Sequence, residues 1–297
     1  MENKSTIIFI NDAALLNQRY RQPLIDGLSN QGHPVLSLGL FDTKASFLKT
    51  LFYMITHYRN TFVSSNLRAN LVSLSIFWLQ GLVILNGLGR YRNKRWLRRV
   101  LILLFRMNFR KRVAIQSYAD FRYFRRYAPK REFVWIPGSG GQIRKLGPQG
   151  PIVTVQRDDK LPMVASSLIE LIKDNRPNCP LIVVGCKDGQ AVADLLGNTS
   201  HFSTGYLQAD EILSGGKTFI QPSGYGEGFP HSLADAIVSG MEIIIAPIEY
   251  RRYGLYRLNT SPTKQTGIYR CFKPTEPLRY ELSIKNITEK YASLILS

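Results

Sequence analysis

The side chains best placed for chemistry lie in one run, Gly224-Tyr225-Gly226-Glu227-Gly228-Phe229-Pro230-His231-Ser232-Leu233-Ala234-Asp235. An apolar run ends near Gln221 just before it, and a helical pattern starts near Ser232. A glycine-rich loop between strand and helix leaves backbone N–H groups free, and with the helix start they make a ready phosphate site. Glu227 lies in the loop, and Asp235 follows eight residues later on the helix, on the side facing back to the same place. Two carboxylates at the mouth of a phosphate site suit sugar hydroxyls, because each can accept bidentate hydrogen bonds. The residues alone also fit a plainer reading, a glycine-rich turn with Asp235 as an ordinary carboxylate near a helix start.

Other reactive residues point away from metal and redox chemistry. Cys179, Cys186 and Cys271 are too few and too scattered for a disulfide framework or a zinc site, and read as reduced core thiols in a cytoplasmic protein. His57 falls on an amphipathic stretch, His201 precedes a strand, and His231 sits beside Pro230 in the loop. No His and Cys spacing suggests a metal, so none is expected.

The elements that position these groups alternate strand with helix. Strands are expected at Ile7–Ile10, Val35–Leu38, Thr61–Ser64, Val83–Leu85, Val113–Gln116 and Phe133–Ile136, with a helix at Tyr20–Gln31 stopped at Gly32. A Gly-rich, polar stretch from Pro137 to Pro151 reads as a linker. The alternation then restarts: strands at Ile152–Val155, Leu181–Val184, Thr218–Ile220 and Ile243–Ala246, helices at Met163–Asp174, Gln190–Leu196 and Ser232–Ser239. Units of this kind imply α/β domains, two Rossmann-like doubly wound parallel sheets with helices on both faces. The expected division is 1–140, 150–280, and a C-terminal helix in 281–297 packing back towards the first domain. Two such domains would face each other across a cleft at the carboxyl ends of their strands, where open sheets bind ligands.

At 297 residues, two domains of ordinary size are expected, and 44% hydrophobic content excludes a disordered or fibrous chain. The net charge of +18, from 39 Lys and Arg against 21 Asp and Glu, calls for an anionic partner. It is concentrated: 15 Lys or Arg and one acid, Asp120, fall between Arg90 and Arg131. The same stretch carries Trp96, Leu97, Leu101, Leu103, Leu104, Phe105 and Phe109, and a second amphipathic segment, Ser46–Arg59, carries Phe47, Leu48, Leu51, Phe52 and Ile55. Apolar and basic residues interleaved at helical spacing suit an interfacial helix at an anionic membrane surface; either segment alone equally fits a helix packed on its own domain. The N-terminal sequence shows no signal-peptide pattern, and the apolar window Leu71–Leu85 is short of the ~20 residues a spanning helix needs. With no helix-turn-helix, RNP-like or zinc-finger pattern, no nucleic-acid partner is expected.

The motifs together resemble a known family. Glu227-Gly228-Phe229-Pro230, Asp235-Ala236 and the strand Gly240-Met241-Glu242-Ile243-Ile244-Ile245-Ala246 resemble the signature of family-four retaining glycosyltransferases of the GT-B fold. Gly32-His33-Pro34-Val35, Asn86-Gly87-Leu88-Gly89 and Ile136-Pro137-Gly138-Ser139-Gly140 are similar to further motifs of its bacterial surface-polysaccharide branch, in the same order. So are Gln156-Arg157 with Lys160, Val184-Gly185 with Asp188-Gly189, and Gly205-Tyr206. The resemblance spans nearly the whole chain.

It implies roles position by position. Arg157 and Lys160 would bind the donor diphosphate and stabilise the leaving nucleotide, without a metal ion; as an alternative, Asp158 and Asp159 between them neutralise an exposed loop. Glu227 would hold donor-sugar hydroxyls, with the amides of Gly228 and Phe229 near the phosphates. Asp235 would accept from the ribose, and Gly205 and Tyr206 would line the base. Arg19 and Arg21 either bind an acceptor pyrophosphate or only cap a helix surface. Three departures stand out. Asp235 replaces a Glu and is shorter by ~1.5 Å on standard C–C geometry; Gln156 replaces a Gly; and Asn11-Asp12-Ala13-Ala14 replaces a Gly-rich acceptor loop. The implied activity is retaining hexosyl or N-acetylhexosaminyl transfer from a nucleotide-sugar donor, expected to be a UDP-sugar, with no cofactor. The acceptor would be a lipid-linked saccharide of surface-polysaccharide synthesis (O-antigen, capsule or exopolysaccharide), met peripherally on the inner face of the cytoplasmic membrane. The alternative is a non-catalytic GT-B-like protein that binds a nucleotide sugar or assists assembly.

Overall fold

The computed structural model describes residues 5–91, 93–197, 201–224, 228–258, 264–266 and 269–297. In chain order the elements are β1 (Ile7–Asn11), α1 (Ala14–Asn30), β2 (Val35–Gly39), α2 (Lys44–Thr56), β3 (Thr61–Ser65), α3 (Leu67–Ser75) and β4 (Gln80–Leu85). Next come α4 (Arg95–Met107), β5 (Lys111–Ile115), α5 (Tyr118–Tyr127), β6 (Phe133–Trp135), β7 (Ile152–Val155), α6 (Leu161–Asn175) and β8 (Leu181–Val184). They are followed by α7 (Gly189–Leu196), β9 (His201–Gly205), β10 (Thr218–Gln221), α8 (His231–Val238), β11 (Glu242–Ile245), α9 (Pro247–Arg252) and α10 (Leu255–Leu258). The last are β12 (Lys264–Thr266), β13 (Tyr269–Phe272), α11 (Glu276–Glu281) and α12 (Ile284–Leu296).

Two compact units result. The first takes Met1–Ser139, Gly226–Phe229 and Ile284–Ser297; the second takes Gly140–Tyr225 and Pro230–Ser283. The first holds a six-stranded sheet of order β2-β1-β3-β4-β5-β6, parallel throughout. Its inner strands β1, β3, β4 and β5 are mostly buried on both faces, as parallel sheets require, and the edge strands β2 and β6 are mostly half-buried. Ile7, Phe9, Leu82 and Ile84 pack under α1 and α12 on one face. Ile8, Ile10, Val83, Leu85, Val113 and Ile115 face α2, α3, α4 and α5 on the other.

The second unit holds a seven-stranded sheet of order β12-β13-β11-β10-β7-β8-β9. It is parallel except at one edge, where β13 runs antiparallel to both β11 and β12. The parallel order reverses between β1 and β3 in the first sheet and between β7 and β10 in the second. Those switch points open crevices at the carboxyl ends of the strands.

Two expectations need correction. The stretch read as a free polar linker is strapped to the second unit from Gly140 onwards. Gly141 forms a bridge with Ser283 and donates to Leu282 O at 2.8 Å, and a Cβ on it would lie 2.3 Å from Ala234 O. Helix α1 also starts at Ala14, well before Tyr20, because Asp42 accepts from the Ala14 amide and fixes that end.

Candidate functional site

In the second unit the carboxyl ends of β7, β8 and β9 carry the residues expected to bind a nucleotide diphosphate. Gln156 follows β7 and is buried, and Arg157 to Lys160 lead into α6. Arg157 is exposed and pairs with the equally exposed Asp159 at 3.1 Å. A surface pair of this kind is worth about 0–1 kcal/mol, so a diphosphate competes for the guanidinium easily. Asp158 is engaged elsewhere. Its carboxylate accepts the amides of Lys187 at 2.9 Å and Asp188 at 3.4 Å, fixing the loop after β8. Asp158 therefore does not neutralise the two cations, whereas Asp159 pairs with Arg157 and its charge also acts on Lys160. Lys160 is half-buried; desolvation, with help from Arg157, pulls its ammonium down to about 8.

The neighbouring loops are tied to each other. Gly185 donates to Gly205 O at 2.6 Å and has φ of +96°, with Gln156 O only 2.5 Å from where a Cβ would stand. Glycine is the residue that fits both demands. Gly205 also has positive φ, at the point where the β8–β9 register shifts. Tyr206, exposed, lies under Lys187 Nζ, 4.9 Å from the ring centroid. Across the switch point, the chain leaving β10 rests on the second turn of α6: Ser223 N donates to Ser167 Oγ at 3.1 Å. The site thus gathers Arg157, Lys160, the 185–188 loop and Gly205-Tyr206 along adjacent strands. Glu227, the expected sugar-binding acid, lies outside the described residues.

Asp235 is put to a use the sequence did not announce. It is 6% exposed, its Oδ1 accepts the Gln142 amide and its Oδ2 accepts Arg144 Nε, both at 2.8 Å. Both oxygens are taken by the strap along α8, whereas the expectation was that they accept ribose hydroxyls. Burial lifts its carboxyl above the usual range, against the opposing pull of Gln142 and Arg144.

In the first unit the carboxyl ends of the strands carry a side-chain network. Asn11 at the end of β1 donates to Asn17 Oδ1 (3.0 Å) and Ser65 Oγ (2.9 Å). Asn66, at φ of +70°, donates to Asn11 Oδ1 at 2.5 Å, and Asn86 donates to Asn66 Oδ1 at 2.7 Å. Arg21 closes it, with Nη2 on Asn86 Oδ1 at 2.7 Å and Nη1 on Ser139 Oγ at 2.8 Å. Gln116 joins Ser139 to Tyr291 of α12, whose hydroxyl donates to Gly138 O at 2.9 Å. Arg21 is 2% exposed, with its guanidinium over the Tyr291 ring, and desolvation lowers its pKa.

Arg19 and Arg21 therefore do not act as a pair. Two residues apart on a helix they point about 200° apart: Arg19 is exposed, and Arg21 is a buried brace between the ends of β4 and β6, not a surface cap. Gly228 and Phe229, expected near donor phosphates, pack within this unit. A Cβ on Gly228 would stand 1.6 Å from Asn86 O, and Phe229 is buried beside Gly138. The Asn11-to-Ala14 loop is held by side chains: Asp12 accepts the Ala69 amide at 2.9 Å and pairs with Arg68 at 3.2 Å.

Helices α2 and α4, which hold the amphipathic segments, each turn one apolar face inward and another outward. Leu97, Leu101 and Phe105 are core residues packed on the sheet, and Leu104, Phe47 and Leu51 also pack inward. Of the residues expected on an interfacial face, Trp96 and Leu103 on α4, Phe109 beyond it, and Leu48, Phe52 and Ile55 on α2 are exposed, and Val100 and Met107 join them on α4. Both exposed stripes follow a 4-3 spacing, one helical face. Among the described residues, no helix is long and apolar enough to cross a membrane, and no group of three or more His, Cys, Asp or Glu is placed to hold a metal ion.

Two Rossmann-like units with crevices at their strand ends place the chain in the GT-B fold class. Solved structures agree. One is the Anabaena protein HepE, in complex with UDP and glucose, with a TM-score of 0.61 and 14% identity over 98% of this chain and 92% of that one. Another is a putative UDP-N-acetylglucosamine 2-epimerase from Listeria monocytogenes, with a TM-score of 0.53 and 13% identity over 98% and 91%. At such identities the likeness establishes the fold. No protein-family model and no curated protein sequence matches the chain.

Proposed function

We propose that this chain is a glycosyltransferase that moves a sugar from a nucleotide donor, a UDP-sugar, to a lipid-linked saccharide, with retention and without a metal ion or cofactor. The observation that carries the reading is the placement of Arg157 and Lys160 at the switch point of the second sheet, beside loops tied through Asp158, Gly185 and Gly205. Two cations beside the departing diphosphate lower the barrier electrostatically by stabilising the charge that develops on it. Bound UDP in a protein of the same fold supports the choice of donor, and retention rests on the motif resemblance.

The acceptor side of the reading rests on the exposed stripes of α2 and α4. Lys44, Lys49, Arg95, Arg98, Arg99 and Arg106 share these two helices, and apolar stripes set among cations match the chemistry of an anionic bilayer. The protein then works peripherally on the inner face of the cytoplasmic membrane, in surface-polysaccharide synthesis. The second reading, a non-catalytic binder of nucleotide sugars, is favoured by Asp235 being consumed in a structural contact. Transfer of labelled sugar from UDP-glucose or UDP-N-acetylglucosamine to extracted lipid-linked saccharides, for wild type and Glu227→Ala, separates the two. Transfer that Glu227→Ala abolishes without loss of fold supports the enzyme. Nucleotide binding with no transfer from any donor supports the binder.

A further inference from the structure

Helices α2, α3, α4 and α5 all pack on one face of the first sheet, and each returns the chain to the amino end of the next strand, β3, β4, β5 or β6. Those four strands are neighbours in the sheet, so their entry segments form one row at a spacing of about 5 Å. Each segment carries an exposed aromatic residue: Tyr58 before β3, Trp78 before β4, Phe109 before β5 and Tyr127 before β6. Phe109 is 80% exposed and Trp78 48%. The exposed stripes of α2 and α4 run down to the same row and end there in Ile55 and Met107.

Neighbouring segments are tied to each other. Gln80 Nε2 donates to Arg59 O at 3.0 Å, Arg110 Nη1 to Trp78 O at 3.4 Å, and Arg131 Nη1 to Phe109 O at 3.3 Å. Arg106, in the last turn of α4, donates to Tyr127 O at 2.6 Å. A backbone fixed in this way holds the rings in solvent, so docking them costs little ordering entropy. Arg59, Arg106, Arg110 and Lys130 stand exposed among the rings and, among the described residues, make no ion pair. Glu132 and the carboxylate of Ser297 also lie at this end, so cations outnumber acids.

That composition selects a partner. Tyr and Trp, apolar in body and polar at the tip, suit the boundary between water and acyl chains. Arg and Lys beside them reach lipid phosphates from the same depth. A second copy of this chain would bring like charges together. A nucleic acid would use the rings and cations but offer Ile55 and Met107 no apolar layer to enter.

We infer that this row of segments, with the carboxy-terminal ends of α2 and α4, is the surface that meets an anionic bilayer, the strand amino ends pointing towards the lipid. The inference rests on the peripheral-membrane part of the proposed function and adds which end of the first unit enters the bilayer. Trp96 then stands clear of the lipid, about 16 Å from Met107 along the axis of α4.

The test reads tryptophan fluorescence of the full chain on vesicles of phosphatidylcholine and phosphatidylglycerol with brominated acyl chains, since bromine quenches rings that enter the bilayer. Trp78→Phe is expected to remove most of the quenching, and Trp96→Phe little of it. In flotation, the double variant Phe109→Ser, Arg110→Gln is expected to bind phosphatidylglycerol vesicles roughly tenfold or more weakly. Its melting temperature and its melting shift with UDP should stay at the wild-type values. Quenching that Trp96→Phe removes and Trp78→Phe leaves, or flotation unchanged in the double variant, overturns this surface and leaves a peripheral protein lying along α2 and α4. Wild-type protein that floats with no vesicle overturns both readings. Tighter binding to single-stranded RNA than to vesicles, lost in the double variant, assigns the surface to nucleic acid and also overturns the inference.

Discussion

Replacing Asp235 with Asn tests whether this residue holds the strap along α8 or holds a ribose. The Asp235 and Arg144 side chains are 8% and 17% exposed, and their atoms meet at 2.8 Å. Asn keeps one oxygen for the Gln142 amide but turns an NH2 group towards Arg144 Nε, which leaves a mostly buried guanidinium without its anion. Removing one partner of a fully buried pair costs roughly 3–5 kcal/mol. The residual exposure of Arg144 and the retained Gln142 bond bring this to about 2–3 kcal/mol. At about 2–4 °C per kcal/mol for a domain of 150–250 residues, the second unit should melt ~4–12 °C lower. The assay is differential scanning fluorimetry of wild type and Asp235→Asn, each with and without saturating UDP. The account expects a lower melting temperature in the variant and an undiminished further shift on adding UDP. An unchanged melting temperature with the UDP shift lost would refute it and return Asp235 to the ribose.

Three further outcomes follow from the same geometry. Lys160, at about 8 in the free protein, must be protonated to hold a diphosphate. Nucleotide affinity should therefore be flat below pH 7 and fall as pH rises through 8, by up to tenfold per unit. Isothermal titration across that range checks this, and Lys160→Met should flatten the profile. On α4, Leu101→Ala should cost about 2–5 kcal/mol because Leu101 is fully buried. Leu103→Ser, one helical face away, should change stability by no more than ~0.5 kcal/mol yet weaken binding to phosphatidylglycerol vesicles. Urea unfolding and vesicle flotation read the two effects separately.

The alternation of short apolar runs is enough to read two Rossmann-like units, because a parallel strand buried on both faces is apolar throughout and glycines mark its end. Periodicity does not separate the two faces of α4. Both are apolar: Leu97, Leu101 and Phe105 point at the sheet, and Trp96, Val100, Leu103 and Met107 point away. The antiparallel β12 and β13 have no strand–helix rhythm around them and leave no such trace. The placement of Arg157, Lys160, Gly205 and Tyr206 at strand ends is legible because the loops there are short and local. Asp235 and Arg21 are not legible, since their partners lie 91 and 65 positions away in sequence. A buried arginine held by Ser139 and Asn86 looks like any surface arginine until the fold brings those residues together. The one available signal is position: Arg21 follows Asn17 by one helical turn, on the face of α1 that turns inward.

The central claim is a nucleotide-diphosphate site at the switch point of the second sheet. The most direct measurement is thermal stabilisation against UDP, GDP, ADP, TDP and their common sugar derivatives, for wild type and Arg157→Ala. A ligand at a hundred times its Kd stabilises by about 2.7 kcal/mol. The account predicts a clear upward shift with UDP and UDP-sugars that Arg157→Ala removes or greatly reduces. A folded wild-type protein whose melting temperature moves with none of the nucleotides would contradict it.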